Sequence, residues 1–438
     1  MKRTRLFFLL SVLTGCAGLI GVPDLSFEEP EPDADAGADG NTADGNVVVD
    51  ATPVTDSTVP DVSEPPDDAG TDADAALEID SATCDLSKVA TDKNNCGVCG
   101  NVCLGPSQCT MGTCDAIPIA SVPAASFRYV VEHGDWLFAA SSYPSTEYGI
   151  WRISKTSGNP VQIVSFQYTQ APVIVGDRLY FLVYDYVYDD AGRNGGLWYC
   201  DLADAETADT CTPHLVEIAD NPLAIAAHDG VLYYADYNSR LHKWVPDGGP
   251  DAGGAPIDLN VVNGPDFIHV DANDTFYSAT AVGRTILGKI NALGTQGTAI
   301  AEYSTFARLG GPGNVTTTGS SVIAAFFDDG IAGEQGGELR RMTRTGTTEC
   351  SYGAGTDGGV YRPHGIYLEG SRLYWTNLGD PYFPYFGGSI AMCPVDGCCT
   401  DPKILWRGVG APSGITADAT YVYWVNWNNG EVWKVQKP

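Results

Sequence analysis

From residue 116 onward the apolar residues fall into short runs, without the three-to-four-residue spacing of an amphipathic helix. A single apolar residue is followed by a turn rich in Gly, Asp or Ser and then by an apolar–aromatic strand. The pair recurs at Val130 and Leu137, Ile225 and Leu232, Ile268 and Phe276, Val315 and Val322, Ile366 and Leu373, and Ile415 and Val422. Five of these six pairs are seven residues apart and one is eight. Leu179-Tyr180-Phe181 supplies a seventh copy after a shorter lead. Proline stands three residues ahead of five copies, at Pro222, Pro265, Pro312, Pro363 and Pro412.

A second strand signal follows each copy, usually after glycine, as in Gly149-Ile150-Trp151, Gly388-Ser389-Ile390 and Gly430-Glu431-Val432-Trp433. Most units end in another apolar pair, and the period is roughly 42 to 53 residues. About four short strands per unit at that period predict the blades of an all-β propeller. Seven four-stranded blades over residues 116–438 fit the count. The last unit has only three strands, and Ile117-Pro118-Ile119-Ala120 stands before the first as a stray strand. Pairing the two would close the ring and remove its open edges. The repeats resemble those of bacterial seven-bladed propellers, which specifies fold far better than function.

Residues 17–82 differ entirely. They hold eighteen Asp or Glu, no Lys or Arg, and Phe27 as their one aromatic residue. Such a segment cannot bury enough apolar surface to offset chain entropy, and its charges repel, so a disordered, extended linker is expected. The linker carries much of the formal charge of −31, which disfavours nucleic acid and anionic membrane surfaces as partners. Asp33-Ala34-Asp35-Ala36-Gly37-Ala38-Asp39-Gly40 faintly echoes a calcium loop but lacks its terminal Glu, so solvated linker is the expectation.

Ahead of the linker, Lys2, Arg3 and Arg5 precede an apolar run over residues 6–13, the pattern of an export signal too short to span a bilayer. The run ends in Leu13-Thr14-Gly15-Cys16, which resembles the lipobox of bacterial lipoproteins. The resemblance implies a signal peptide over residues 1–15, a lipidated Cys16, and membrane attachment through that lipid only. It also implies export, with the outer membrane or cell surface as destination, because Ala17 is not acidic.

Cysteine arithmetic points the same way. Of thirteen cysteines, assigning Cys16 to lipid leaves six between Cys84 and Cys114 and six from Cys200 onward, both even. The module over residues 83–115 contains Cys84, Cys96, Cys99, Cys103, Cys109 and Cys114, and resembles short cysteine-rich repeats of myxobacterial cell-surface lipoproteins. A segment this small makes no core of its own, so structural disulfides are expected. Cys96-Gly97-Val98-Cys99 also reads as a redox pair, and zinc ligation is the other alternative. In the propeller, Cys200 and Cys211 flank a third-to-fourth-strand hairpin and Cys393 and Cys398 a tighter one. Cys350 is left for Cys399, with 398 and 399 exchangeable.

Candidate chemistry lies in the loops between the second and third strands of each blade. Three are long and rich in aromatics and acids, placing Tyr186, Tyr188, Phe327, Tyr382 and Tyr385 there, with Trp427, Tyr143, Tyr148 and Asn426 in corresponding loops. Tyr and Trp beside carboxylates suit sugar rings or peptide side chains. Of the six histidines, His133, His214, His228, His242 and His269 fall in turns or on strand edges, where a solvated His is harmless. His364, behind Pro363, points to the channel mouth. Streptogramin lyases, which this architecture resembles, use a channel-mouth His with Mg²⁺ beside a second His and a Glu that no repeat here supplies. HExxH, GxSxG and the Gly-Lys-Ser/Thr phosphate loop are all missing from the sequence. The expectation is a lipid-anchored, monomeric surface protein that binds a glycan or a peptide/protein ligand, without cofactor, metal site or catalytic residue. The alternative is an extracellular lyase or hydrolase acting around His364.

Overall fold

The computed structural model describes residues 85–142, 145–184, 195–219, 221–246, 248, 255–259, 264–281, 284–291, 294–304, 312–326, 337–352, 360, 362–379, 386–396 and 401–438. Seven four-stranded antiparallel sheets form a propeller. Each blade starts with an innermost strand against the channel, and the innermost strands of successive blades pack on one another around the whole ring. In chain order they are Phe127–His133, Thr169–Val175, Pro222–His228, Pro265–Val270, Pro312–Thr317, Pro363–Glu369 and Pro412–Ala417, which number blades 1 to 7.

Ring closure occurs as the stray strand predicted. Ile117–Ser121 pairs antiparallel with the C-terminal strand Glu431–Gln436, in register Ile117↔Lys434 and Ser121↔Glu431, and becomes the outer strand of blade 7. Away from the channel mouth discussed below, Lys155 of blade 1 bonds Glu132 at 2.7 Å and Asp418 of blade 7 at 3.2 Å.

The core is distributed. A separate buried cluster fills each of the seven blade interfaces; Phe138, Ile150, Leu179 and Phe181, for example, lie between blades 1 and 2. Every second strand is sandwiched between neighbouring blades, so both of its faces are apolar. That is why Leu373-Tyr374-Trp375 and Val422-Tyr423-Trp424 are continuous buried runs rather than alternating ones. The blade 2 copy has no short lead after all. Val173 pairs with Tyr180, so Pro172 takes the leading position, seven residues before Leu179. A proline there hid it from an apolar search.

Among the described residues one helix interrupts the all-β pattern. Leu202–Thr207 sits inside the hairpin expected between Cys200 and Cys211, which are disulfide-bonded with Cα atoms 6.0 Å apart. In the N-terminal module Cys96 pairs with Cys109 and Cys103 with Cys114, around the hairpin Cys109–Thr110/Thr113–Cys114. Cys96 therefore does not pair with Cys99, and the redox reading of that pair fails. The sulfurs of Cys96, Cys103 and Cys114 cluster within 4.8 Å, but all are oxidised and so are not the thiolates zinc would need. Cys99, Cys350 and Cys393 are also disulfide-bonded, while Cys16, Cys84, Cys398 and Cys399 lie outside the described residues. The module is fastened to blade 7 by Gln436, which donates to Val102 O at 2.8 Å and accepts from Leu104 N at 2.8 Å.

Candidate functional site

Six of the seven innermost strands carry a register shift immediately after their first residue, and in blade 2 the shift comes one residue later, after Gln170, which still pairs with Leu182. A bulge adds a residue, bends the strand and re-aims a side chain. Proline is tolerated as the first residue because the inner edge of each blade has no partner strand needing its N–H. The second residue of those six strands is therefore displaced toward one end of the channel. In blade order the second residues of all seven are Arg128, Gln170, Leu223, Asp266, Gly313, His364 and Ser413. Two positions further along, the ring is uniformly apolar: Val130, Pro172, Ile225, Ile268, Val315, Ile366 and Ile415.

A cavity of about 360 Å³ runs down the channel past Arg128, Asp266 and His364, a volume in the range of small-molecule sites. A second, of about 340 Å³, opens beside it at the mouth between Arg128, Gln170, Asp266, Tyr168, Tyr184 and Tyr237. The waist below is narrowed by rings. Tyr129 and Phe267 lie with centroids 6.1 Å apart, and His364 meets Phe267 edge-on at 5.5 Å.

Hydrogen bonds fix the mouth from behind. Gly365 N donates to Thr376 Oγ1 at 2.8 Å, Thr376 donates to Ser413 O at 2.9 Å, and Ser413 Oγ donates to Phe127 O at 2.8 Å. This buried relay links blades 6, 7 and 1 directly beneath His364 and Arg128. The Arg128 guanidinium lies over the Trp427 ring, 4.3 Å from its centroid. Trp427 is held by its backbone, whose N–H donates to Ala411 O at 2.8 Å.

Burial sets the protonation states. It pushes the Asp266 carboxyl up to about 6, with Thr280 Oγ1 at 3.4 Å and the charge of Arg128 opposing only in part. It pushes His364 down to about 4, helped by the positive Arg128 and Arg362 and opposed by a hydrogen bond with the Ser413 backbone. Burial also raises Tyr129 to about 12. Near neutral pH the described residues of the mouth therefore include a carboxylate that protonates readily and a neutral imidazole, beside the Arg128 side chain.

Of the residues singled out from sequence, His364 lines the channel cavity and Trp427 lies against Arg128, lining neither cavity itself. Tyr186, Tyr188, Phe327, Tyr382 and Tyr385 lie outside the described residues, as do Tyr143 and the acidic pairs beside Tyr188 and Phe327. Asn426 is buried and donates to Glu431 at 3.2 Å, a structural role. Arg128, Asp266 and Gln170 were missed, and so was His269. Far from being a solvated edge residue, His269 faces the channel, accepts or donates at Thr317 Oγ1 (2.9 Å), and is pushed by burial to about 4. A further cavity at the opposite end of the ring is lined by Asp271, Thr317 and Arg344. There Arg344 bonds both Asp271 and Asp274 at 2.6 Å, so these charges already satisfy one another.

No family model matches the chain, and no curated protein matches it. Solved structures do. A catalytically inactive histidine-to-alanine variant of virginiamycin B lyase from Staphylococcus aureus, with quinupristin, is 14% identical at a TM-score of 0.50, covering 74% of this chain and 99% of that one. The computationally designed Ika8 protein is 7% identical at a TM-score of 0.46, covering 73% and 99%. At such identities the likeness to the lyase is one of backbone, and it agrees with the seven sheets in giving this chain the fold of a seven-bladed β-propeller.

Proposed function

We propose that this protein is an exported binding protein, anchored by lipid at Cys16, whose propeller captures a glycan or peptide-type ligand at the channel mouth around Arg128, Asp266, His364 and Trp427. One observation carries the reading: the second positions of the innermost strands bring Arg128, Gln170, Asp266 and His364 to one mouth, above a ring of apolar residues that lines the channel. Disulfides in the module and in blade 2 belong to an oxidising compartment, in keeping with export. Among the described residues no helix is long and apolar enough to cross a membrane.

The lyase reading rests on His364 and on the fold shared with virginiamycin B lyase. A general base works best with a pKa near the operating pH. His364, at about 4 and flanked by positive charge, is a weak one. The binding reading is accordingly the better supported.

Glycan and peptide arrays probed with the full chain test it. Trp427→Ala should weaken capture by roughly thirtyfold, the ~2 kcal/mol that aromatic anchors commonly carry. Undiminished capture by Trp427→Ala, together with turnover of a substrate that His364→Ala abolishes, would replace the binding reading by the enzymatic one.

A further inference from the structure

Arg128 and Asp266 are opposite charges that share the mouth without touching. Both line the channel cavity and the cavity beside it. Among the described residues, the Arg128 guanidinium makes no ion pair and no hydrogen bond; it rests flat on Trp427. Asp266 is likewise without an ion pair, and its partner is the Thr280 hydroxyl at a long 3.4 Å. Asp266 feels the charge of Arg128 across the gap. Elsewhere in the molecule comparable groups are paired at close range, as Arg344 is with Asp271 and Lys289 with Asp274, both at 2.6 Å. A partly desolvated carboxylate without an ion-pair partner is costly to maintain, and the half-buried guanidinium has no protein acceptor among the described residues. A ligand carrying the complementary charges would relieve both.

Resting on the reading of this mouth as a binding site, we propose that it recognises zwitterionic, amino-acid-type ligands, with the carboxylate on Arg128 and the ammonium on Asp266. The guanidinium fork suits a carboxylate, which it can bind through two parallel hydrogen bonds. Among the described residues one cation faces one anion across the mouth, which selects a ligand of no net charge. A phosphate or sulfate would bring its charge against Asp266 with a single arginine to balance it. The apolar part of the ligand lies against Trp427, with Tyr168, Tyr184 and Tyr237 lining the adjoining cavity.

Titration of the full chain with L-phenylalanine, L-phenylalaninamide and N-acetyl-L-phenylalanine tests this. The free amino acid should bind, and each blocked form, lacking one charge, at least roughly tenfold more weakly. Arg128→Met should erase the preference over the amide, and Asp266→Asn the preference over the N-acetyl form. Binding should also tighten from about pH 5 to about pH 7.5 as Asp266 ionises. His364, His269 and Tyr129 stay neutral over that range, so among the described residues of the channel Asp266 is the group that reports. Equal binding of all three probes, or none by the amino acid up to about 10 mM, overturns the proposal. If the amino acid is silent while Trp427→Ala still abolishes array capture, the mouth binds another class of ligand. If both are silent, the binding reading falls as well.

Discussion

A half-buried carboxylate without an ion-pair partner weighs against the fold that holds it, and Asp266 is such a group. Its folded pKa is raised to about 6, whereas the unfolded chain releases the proton near 3.8. The stability it contributes is thus present below about pH 4 and lost as pH rises through 6. Asp266→Asn, which mimics the protonated form, should stabilise the protein at about pH 7.5 by about 1–3 kcal/mol, since each tenfold change in proton affinity is worth ~1.36 kcal/mol. The gain should shrink toward zero as pH falls to about 4, and urea denaturation at several pH values reads it. A variant less stable than wild type at neutral pH would contradict the burial argument. His364 and His269 act in the opposite sense. Their folded values of about 4 lie below the ordinary 6.5, so the stability they contribute is present above 6.5 and lost as pH falls between those limits.

Reading single residues from sequence succeeded where a neighbour gave them away. Pro363 marked the start of a strand and so flagged His364. Arg128, Asp266 and Gln170 had no such marker. They occupy the one position of the repeat that holds a different residue type in every blade, and a search for repeats discards such a position as noise. The ring two residues further along was legible in six blades for the converse reason, since packing demands an apolar residue there, and only Pro172 in blade 2 escaped the search.

At the scale of elements, the strands were legible because burial on two faces writes long apolar–aromatic runs, and the turns because glycine, aspartate and serine punctuate them. The bulges were not. They follow from the chain crowding toward the axis, a property of the closed ring that no single repeat contains. The short helix Leu202–Thr207 was also hidden, having too few residues to show a period. Two predictions belong here. The Cys200–Cys211 bridge closes a loop of 11 residues, so Cys200→Ala with Cys211→Ala should cost about 2–3 kcal/mol by loop entropy, measured by thermal or urea unfolding. Gly158 sits at φ +71° with the Ile119 carbonyl oxygen 1.9 Å from where a Cβ would stand. Gly158→Ala should therefore push the closing strand outward, lowering the melting temperature and exposing Glu431–Gln436 as a pairing edge, with oligomers visible on size exclusion. An unchanged, monomeric variant would mean that the closing strand is dispensable.

For the whole molecule, composition separated the acidic linker from the folded part, and cysteine parity anticipated oxidised sulfur. The pairing within the module was beyond reach, because six cysteines allow fifteen connectivities and no spacing rule selects among them. The lipid at Cys16 is tested by metabolic labelling with a fatty-acid probe. Cys16→Ser should remove the label, and equal labelling of mutant and wild type would discard the anchor. Gln436 adds a mechanical consequence. It clasps Val102 and Leu104 with two hydrogen bonds just ahead of the strand that closes the ring. A pull arriving along the N-terminal segment would be taken up first by the disulfides and that clasp, leaving Ile117–Ser121 unloaded until the clasp gives way. In Gln436→Ala the same tension would reach the closing strand directly, and the ring should open at lower force.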